Sequence, residues 1–308
     1  MSDRSKTQLR NFLEARWLRP ESALFGTLKS KAMDRIMFQS PSVDICSGDG
    51  TLMFQHMGGE FGFGYDLYRE TQAQNFKHNN FIDIYDCDKN ISPDIKKGPV
   101  QKIDFATDWK PELLNKASRL NIYENLIRHD NNKLPLPFDN EQLQTVFSTA
   151  LYWTENNEEL LKDIYRVMRP GGRLATTVMT PLLLNTLDRL APILSPTAIS
   201  ILDRKRSETM RGSRAVSDWE YLLKNAGFKI DYIESVFPTE YLIDIWNLGL
   251  RPISHLLVQM TEELSFQRRA EIKAEWVEIF FELMLPLVSL PNTCPLDKAP
   301  YAMFIASK

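Results

Sequence analysis

Three groups of residues in this chain have types and spacings that could do chemistry. The first is Asp44-Ile45-Cys46-Ser47-Gly48-Asp49-Gly50, an acid followed by a turn with two glycines. Ser42-Val43 precede it and Thr51-Leu52-Met53-Phe54 follow, so it reads as strand, tight turn and helix. Glycine lacks a Cβ and takes positive φ freely, which lets a ligand approach bare backbone. A helix starting behind such a turn offers free N–H groups to polar ligand atoms. The second group is acidic or amide residues at strand or turn positions: Asp66, Asp104, and the pair Asp130-Asn131. A carboxylate has two acceptor oxygens and suits a pair of ligand hydroxyls. The third is Ser148-Thr149 at the end of an apolar run, with Tyr152-Trp153 just beyond. Aromatic faces attract cations. Any strand-to-helix turn can use glycines, so the surrounding elements must decide what the first group means.

Those elements alternate. Residues 5–38 read as two helices separated by Pro20, with apolar positions at Leu9, Phe12, Leu13 and Trp17 and then Leu24, Phe25 and Leu28. Beyond the turn comes a short aromatic strand, Phe61 to Asp66. An irregular polar stretch follows, with Phe81 to Tyr85 a strand candidate. Val100 to Phe105 reads as a strand ending in an acid, and a helix with Leu113, Leu114, Ala117 and Leu120 follows. Ile122 to Ile127 and Leu143 to Ser148 are further strands. A helix over 157–168 runs to Arg169-Pro170-Gly171-Gly172, where glycine closes it, and Arg173 to Met179 is again a strand. A helix at 217–226, a strand from Lys229 to Val236, a mostly helical stretch over 239–290 and a final strand from Tyr301 complete the order. Strands alternating with helices indicate a parallel sheet covered on both faces, with ligands at the C-terminal edge of its strands.

Composition narrows the possibilities. Hydrophobic residues make up 43% of the 308, enough for a packed core. The 37 basic and 40 acidic residues give a net charge of −3, which disfavours nucleic-acid binding by general attraction. Cys46, Cys87 and Cys294 are far apart, so neither a zinc site nor a disulfide framework is expected, and a reducing, cytoplasmic setting is the simplest reading. The polar N-terminus has no secretory apolar region, and no stretch of about 18 apolar residues suggests a membrane span.

Four motifs together resemble the class I S-adenosylmethionine-dependent methyltransferases. The Asp44–Gly50 turn is similar to that family's first motif. Leu134 to Ser148 resembles its leucine-proline-phenylalanine segment leading into the fourth strand. Arg166-Val167-Met168-Arg169-Pro170-Gly171-Gly172 resembles the segment before the fifth, and Asn225-Ala226-Gly227-Phe228 that before the sixth. They span about residues 40–235 in the family's order. The resemblance implies an α/β, Rossmann-like methyltransferase fold: a mostly parallel sheet with a last antiparallel strand, N-terminal helices and a helical insert. On that reading residues 1–39 form a helical cap. Residues 40–238 with 296–308 form the Rossmann-like domain, with 60–99 an insertion, and 239–295 form a lid or acceptor-binding insert.

The resemblance also implies S-adenosylmethionine as cofactor, released as S-adenosylhomocysteine. It implies cofactor contacts from Asp44, Cys46, Ser47, Gly48, Gly50, Asp130, Asn131 and Ser148, and a ribose-binding acid. Asp66 lies 22 residues after Asp44, the usual distance for that acid, and Asp104 lies 60 after. Asp104 is favoured because Lys110-Pro111-Glu112-Leu113-Leu114-Asn115-Lys116-Ala117 follows it in the family's manner. Tyr152, Trp153, Tyr241 and Trp246 are the candidate acceptor contacts; Tyr152, His129 and His255 are the candidate catalytic groups. No metal is required, since the methyl group is already activated. The sequence departs from the family where Cys46 replaces a glycine, tolerable if φ stays negative there, and where Gln144 replaces an acid. The implied function is methyl transfer to a small-molecule acceptor, with O-methylation of a secondary metabolite, sugar or lipid-like precursor the leading form. The protein would be a monomer or homodimer without nucleic-acid partners. RNA or protein methylation, and a non-catalytic binding protein keeping this fold, stay open as alternatives.

Overall fold

The structure, a computed structural model, describes residues 3–68, 92–210 and 212–308. At its centre lies β1 (Ser42–Ile45), buried along its whole length. It pairs in parallel with β4 (Ile103–Asp108) on one side and β6 (Leu143–Ser148) on the other. Beyond β4 lies β5 (Tyr123–Arg128), and beyond β6 lies β7 (Met168–Met179), both also parallel. The final strand, β9 (Tyr301–Ser307), runs antiparallel between β7 and β8 (Lys229–Ser235). The sheet therefore has seven strands in the order β5-β4-β1-β6-β7-β9-β8. All parallel strands end on the same edge, so the residues after β1, β4, β5, β6 and β7 meet there.

The helices cover the faces. α3 (Thr51–His56) follows the glycine turn, α4 (Pro111–Ser118) links β4 to β5, and α5 (Asn157–Val167) links β6 to β7. α5 illustrates why these segments fold as they do. Asn156 caps it by accepting from the Glu159 N–H, Glu158 and Glu159 occupy its first turn, and Leu160, Leu161, Ile164 and Val167 form its buried face. α8 (Val216–Asn225) packs on β8. Two N-terminal helices, α1 (Asp3–Ala15) and α2 (Pro20–Met33), pack on each other. Both also pack against α11 (Phe266–Val288) of the C-terminal insert. The insert holds α9 (Leu242–Leu248) and α10 (Ser254–Glu262) as well. Among the described residues no helix is long and apolar enough to cross a membrane.

Several expectations need correction. Only Glu60–Phe61 of the aromatic segment is a strand, β2, and it pairs with β3 (Ile95–Lys97) outside the main sheet. The candidate strand at Phe81 to Tyr85 lies outside the described residues. The strand read over 100–105 is shifted to Ile103–Asp108, which changes the acid at its end. The Pro170-Gly171-Gly172 segment does not close a helix. α5 ends at Val167, and the glycines lie within β7 where its register with β6 shifts. Gly171 takes φ +75°, and its N–H donates to the Lys308 carbonyl at 3.0 Å. A Cβ on Gly172 would sit 2.9 Å from the Arg169 carbonyl oxygen. Finally, α6 (Asn185–Leu190) and α7 (Pro196–Asp203) occupy the stretch between Met179 and residue 217, to which no element was assigned.

Candidate active site

The turn after β1 is built as its glycines require. Gly48 takes φ +61°, and a Cβ there would meet nothing within 4 Å, so this backbone faces open space. Gly50 takes φ +73°, and a Cβ there would lie 3.0 Å from the Tyr123 ring and 3.3 Å from Ala117 Cβ. Only glycine fits both demands. Cys46 also has a left-handed backbone, φ +59°, against the expectation of a negative value. That conformation costs a non-glycine residue about 1–2 kcal/mol. The Asn131 amide donates to Cys46 Sγ at 2.8 Å. Burial pushes the thiol up to about 12, so it stays protonated. α3 is one six-residue helix, and Asp49 already accepts the Thr51 N–H at 2.9 Å.

The acids divide by position along β4. Asp108, which closes the strand, accepts from the Gly48 N–H at 3.0 Å and from the Lys110 N–H at 3.0 Å. It thus stands beside the open face of the turn. Burial pushes its carboxyl up, against the pull of those N–H donors. Asp104 lies at the start of β4, on the opposite edge of the sheet. Its carboxylate accepts from the Ser42 N–H at 2.7 Å and from the Ser42 and Ser40 hydroxyls at 2.8 Å. Its slight burial is outweighed by these bonds, which hold it below the usual carboxylate range. Asp66 is no nearer the turn's ligand face. Trp17 Nε1 donates to its Oδ1 at 2.9 Å, and Arg269 donates to its Oδ2 at 2.8 and 2.5 Å. The expected placement of these two acids at the turn is thereby corrected: each carboxylate is engaged elsewhere, and it is Asp108 that stands beside Gly48. The sequence carried the signal. Asp108-Trp109-Lys110-Pro111-Glu112-Leu113-Leu114-Asn115-Lys116-Ala117 places its proline three residues after the acid, which Asp104 does not.

Asp44 is buried and accepts from the Tyr123 hydroxyl at 2.6 Å. Burial pushes its carboxyl up to about 7; the Tyr123 bond pulls down and the Asp108 charge pushes further up. Past β5, the His129 N–H donates to the Asp108 carbonyl at 3.0 Å, and burial pushes its imidazole below the usual range. Asp130 accepts from the Asn132 N–H at 3.1 Å. Ser47 Oγ, His129 Nε2 and Asn131 Oδ1 are buried polar atoms without a partner among the described residues. Three such atoms around an open turn and a carboxylate fit a polar, nucleoside-like ligand, since buried polar groups otherwise find partners.

At the end of β6, Ser148 is fully buried. Its hydroxyl donates to the Ile45 carbonyl at 2.8 Å and accepts from the Ala150 N–H, bracing β6 against β1. Tyr152 is 4% exposed, and its ring lies 5.7 Å from Trp153 and 6.4 Å from Tyr301. Burial pushes the Tyr152 hydroxyl up, which removes it as a base; Arg206 opposes this and the Cys46 thiol adds to it. Trp246 is buried nearby, whereas Tyr241 is 66% exposed. His255 begins α10, and its side chain lies outside the described residues. His129 stands with Asp108, on a different strand end from Tyr152. Sequence reading missed Arg206, which follows the unassigned helix α7, and Lys29, which lies on the assigned helix α2 but whose neighbours only the packing reveals.

Residues 98–176 match the family model of the methyltransferase domain. A search of curated protein sequences found no match. Among solved structures, the chain is similar to an S-adenosylmethionine-dependent methyltransferase from Thermotoga maritima, with 11% identity, coverage of 97% of this chain and 99% of that one, and a TM-score of 0.47. An S-adenosylmethionine-dependent methyltransferase from Mesorhizobium loti matches at 14% identity, over 92% and 98% of the two chains, with a TM-score of 0.46. The phosphoethanolamine N-methyltransferase 2 of Haemonchus contortus, in complex with S-adenosyl-L-methionine, matches at 14% identity over 97% of this chain and 60% of that one, with a TM-score of 0.47. The family match runs from before β4 into β7 and includes Asp108, Asp130 and Ser148. Over those residues the chain is similar to a methyltransferase domain.

Proposed function

We propose that the protein is a class I S-adenosylmethionine-dependent methyltransferase whose acceptor is a small molecule, taken up at the ends of β6 and β7 beneath the N-terminal helices and the C-terminal insert. The observation that carries this is the aromatic group formed by Tyr152, Trp153, Trp246 and Tyr301 beside the glycine turn. It is contributed by three separate segments, and the Tyr301 hydroxyl donates to the Thr149 carbonyl at 3.1 Å, tying it to the end of β6. Bound S-adenosylmethionine supplies an activated methyl group on a sulfonium, open to in-line displacement.

The residues of this chain hold and align. Asp108 accepts the two ribose hydroxyls with a carboxylate already oriented by the Gly48 and Lys110 N–H groups. Gly48 admits the ligand to the backbone. Asp130 and Asn131 serve the adenine edge, Asn131 through an amide oxygen with no protein partner among the described residues. Covering helices exclude water and fix the approach of the acceptor, so catalysis rests mainly on proximity. Calorimetry with S-adenosylhomocysteine tests this arrangement: Asp108→Asn should weaken binding by about ten-fold or more, and Asp104→Ala should leave it unchanged. Equal affinities for wild type and Asp108→Asn would remove Asp108 from the site.

A further inference from the structure

The aromatic group is not an apolar one, because cations are set into it. The Arg206 guanidinium carbon lies 5.4 Å from the Trp153 ring and 5.3 Å from the Trp246 ring. Lys29 Nζ lies 4.5 Å from the Phe25 ring and 5.4 Å from the Tyr301 ring. The rings connect these charges: Phe25 lies 4.9 Å from Tyr301, and Tyr301 lies 6.4 Å from Tyr152. Arg251 also lies 4.7 Å from the Trp246 ring, but two carbonyls, of Leu202 and Asp203, already take its guanidinium. Arg16 is held by Gln55 at 3.1 Å.

Lys29 and Arg206 differ from these neighbours. Among the described residues, no carboxylate opposes either one. Arg206 reaches only Met179 Sδ and the Tyr152 hydroxyl, and its Nε is buried without a partner. Burial, and then the charges of Arg16 and Arg206, push Lys29 down to about 7. Gathering like charges among rings is unfavourable unless an anion joins them. Trp153, at 47% exposure, leaves the group reachable from solvent.

We propose that the acceptor carries an anionic group, a carboxylate or a phosphate ester, held between Lys29 and Arg206 with its apolar part against the Tyr152, Trp246 and Tyr301 rings. This rests on the small-molecule reading above and names the substrate class it takes. Charge-assisted bonds to a guanidinium and an ammonium are the stronger kind, and a guanidinium fork fits either anion.

The test is calorimetry on the full chain, with and without saturating S-adenosylhomocysteine. The probes are benzoate, phenyl phosphate and neutral benzamide. Benzoate or phenyl phosphate should bind, and benzamide should bind about ten-fold or more weakly. Lys29→Gln and Arg206→Gln should each lose the anion by a similar factor, Arg206→Lys should keep part of it, and all three should keep the wild-type circular dichroism and S-adenosylhomocysteine affinity. Preference between the two anions assigns the headgroup. Equal binding of benzoate and benzamide, no anion binding, or anion binding unaffected by both Gln variants would overturn the proposal. So would weakened S-adenosylhomocysteine binding in Lys29→Gln, or competition between it and the anions. Either result would give these cations to the carboxylate of the cofactor. Failure of S-adenosylhomocysteine to bind wild type would instead count against the cofactor site itself.

Discussion

Asp104 and Asp108 are separated by four residues and do unrelated work. Strand direction decides between them. Asp104 enters β4 at the edge away from the ligand and bonds Ser40 and Ser42, so it staples the entry of β1. Asp108 leaves β4 beside Gly48. The types of residue were legible in the sequence, but the frame of the strand was not. A shift of a few residues along one strand puts a different carboxylate beside the glycine turn. Cys46 shows a second limit. Its left-handed φ is imposed by the turn's path from Ile45 to Gly48, which residue type does not reveal. Cys46→Val should therefore destabilise by more than about 1–2 kcal/mol, because a β-branched residue tolerates that region poorly. Chemical unfolding of the variant measures it, and an unchanged midpoint would show that the turn relaxes. Asp44 carries a prediction about protons. With its carboxyl at about 7 in the free protein, it is roughly half protonated at neutral pH. A sulfonium and an ammonium brought to the end of β1 favour the charged form. Cofactor binding at pH 7 should release part of a proton, read from heats in buffers of different ionisation enthalpy, and Asp44→Asn should abolish that release.

Among the elements, the junction of α11 with the segments after α1 and after β2 is held by buried polar bonds. Asp66 and Arg269 form an ion pair with side chains 8% and 6% exposed, and the Arg269 guanidinium lies 5.4 Å from the Trp17 ring. Arg269 also donates to the Thr261 carbonyl at 2.7 Å. Lys273 on the same helix donates to the Phe63 carbonyl at 2.9 Å. Removing one partner of such a pair leaves a buried charge unmatched. Asp66→Ala should destabilise by about 3–5 kcal/mol, while affinity for S-adenosylhomocysteine measured below the unfolding transition stays near wild type. A large loss of affinity without a loss of stability would return Asp66 to the cofactor site. The alternation of helices and strands made the sheet readable in advance. The insert's helices were readable as helices, but their apolar positions could not say what they cover. Trp246 and Tyr241 lie five residues apart, and packing alone buries the first and exposes the second.

At the scale of the molecule, stability depends on pH through groups remote from catalysis. His56 is buried; its Nδ1 meets the Ser30 hydroxyl at 2.9 Å, and Gln8 donates to that hydroxyl at 2.7 Å. Burial, with the Arg4 charge adding, lowers its imidazole to about 4. The unfolded chain would titrate near 6.5. Between those values the unfolded state holds more protons, so stability rises with pH. The contribution is complete above about 6.5 and falls away toward pH 4, by about 3 kcal/mol in all. His56→Gln should lose less stability than wild type between pH 6.5 and pH 4, so that the gap between the two curves changes by about 3 kcal/mol over that window. Parallel curves from pH 7 to 4 would mean that His56 charges freely in the folded state.

The position of β9 has a consequence for how the chain acquires its structure. Among the described residues β8 has no sheet neighbour but β9, and the helices α9, α10 and α11 are made between them. β7 likewise waits for β9 on its outer side. Half of the sheet is therefore closed by contacts that span a long stretch of sequence, and such pairings form late. During synthesis, β8 must remain unpaired until residues 301–307 emerge, leaving a strand edge open to wrong partners. Pulse-labelled hydrogen exchange during refolding should protect the β1, β4 and β6 amides first. The β8 amides should follow together with those of β9, as one step.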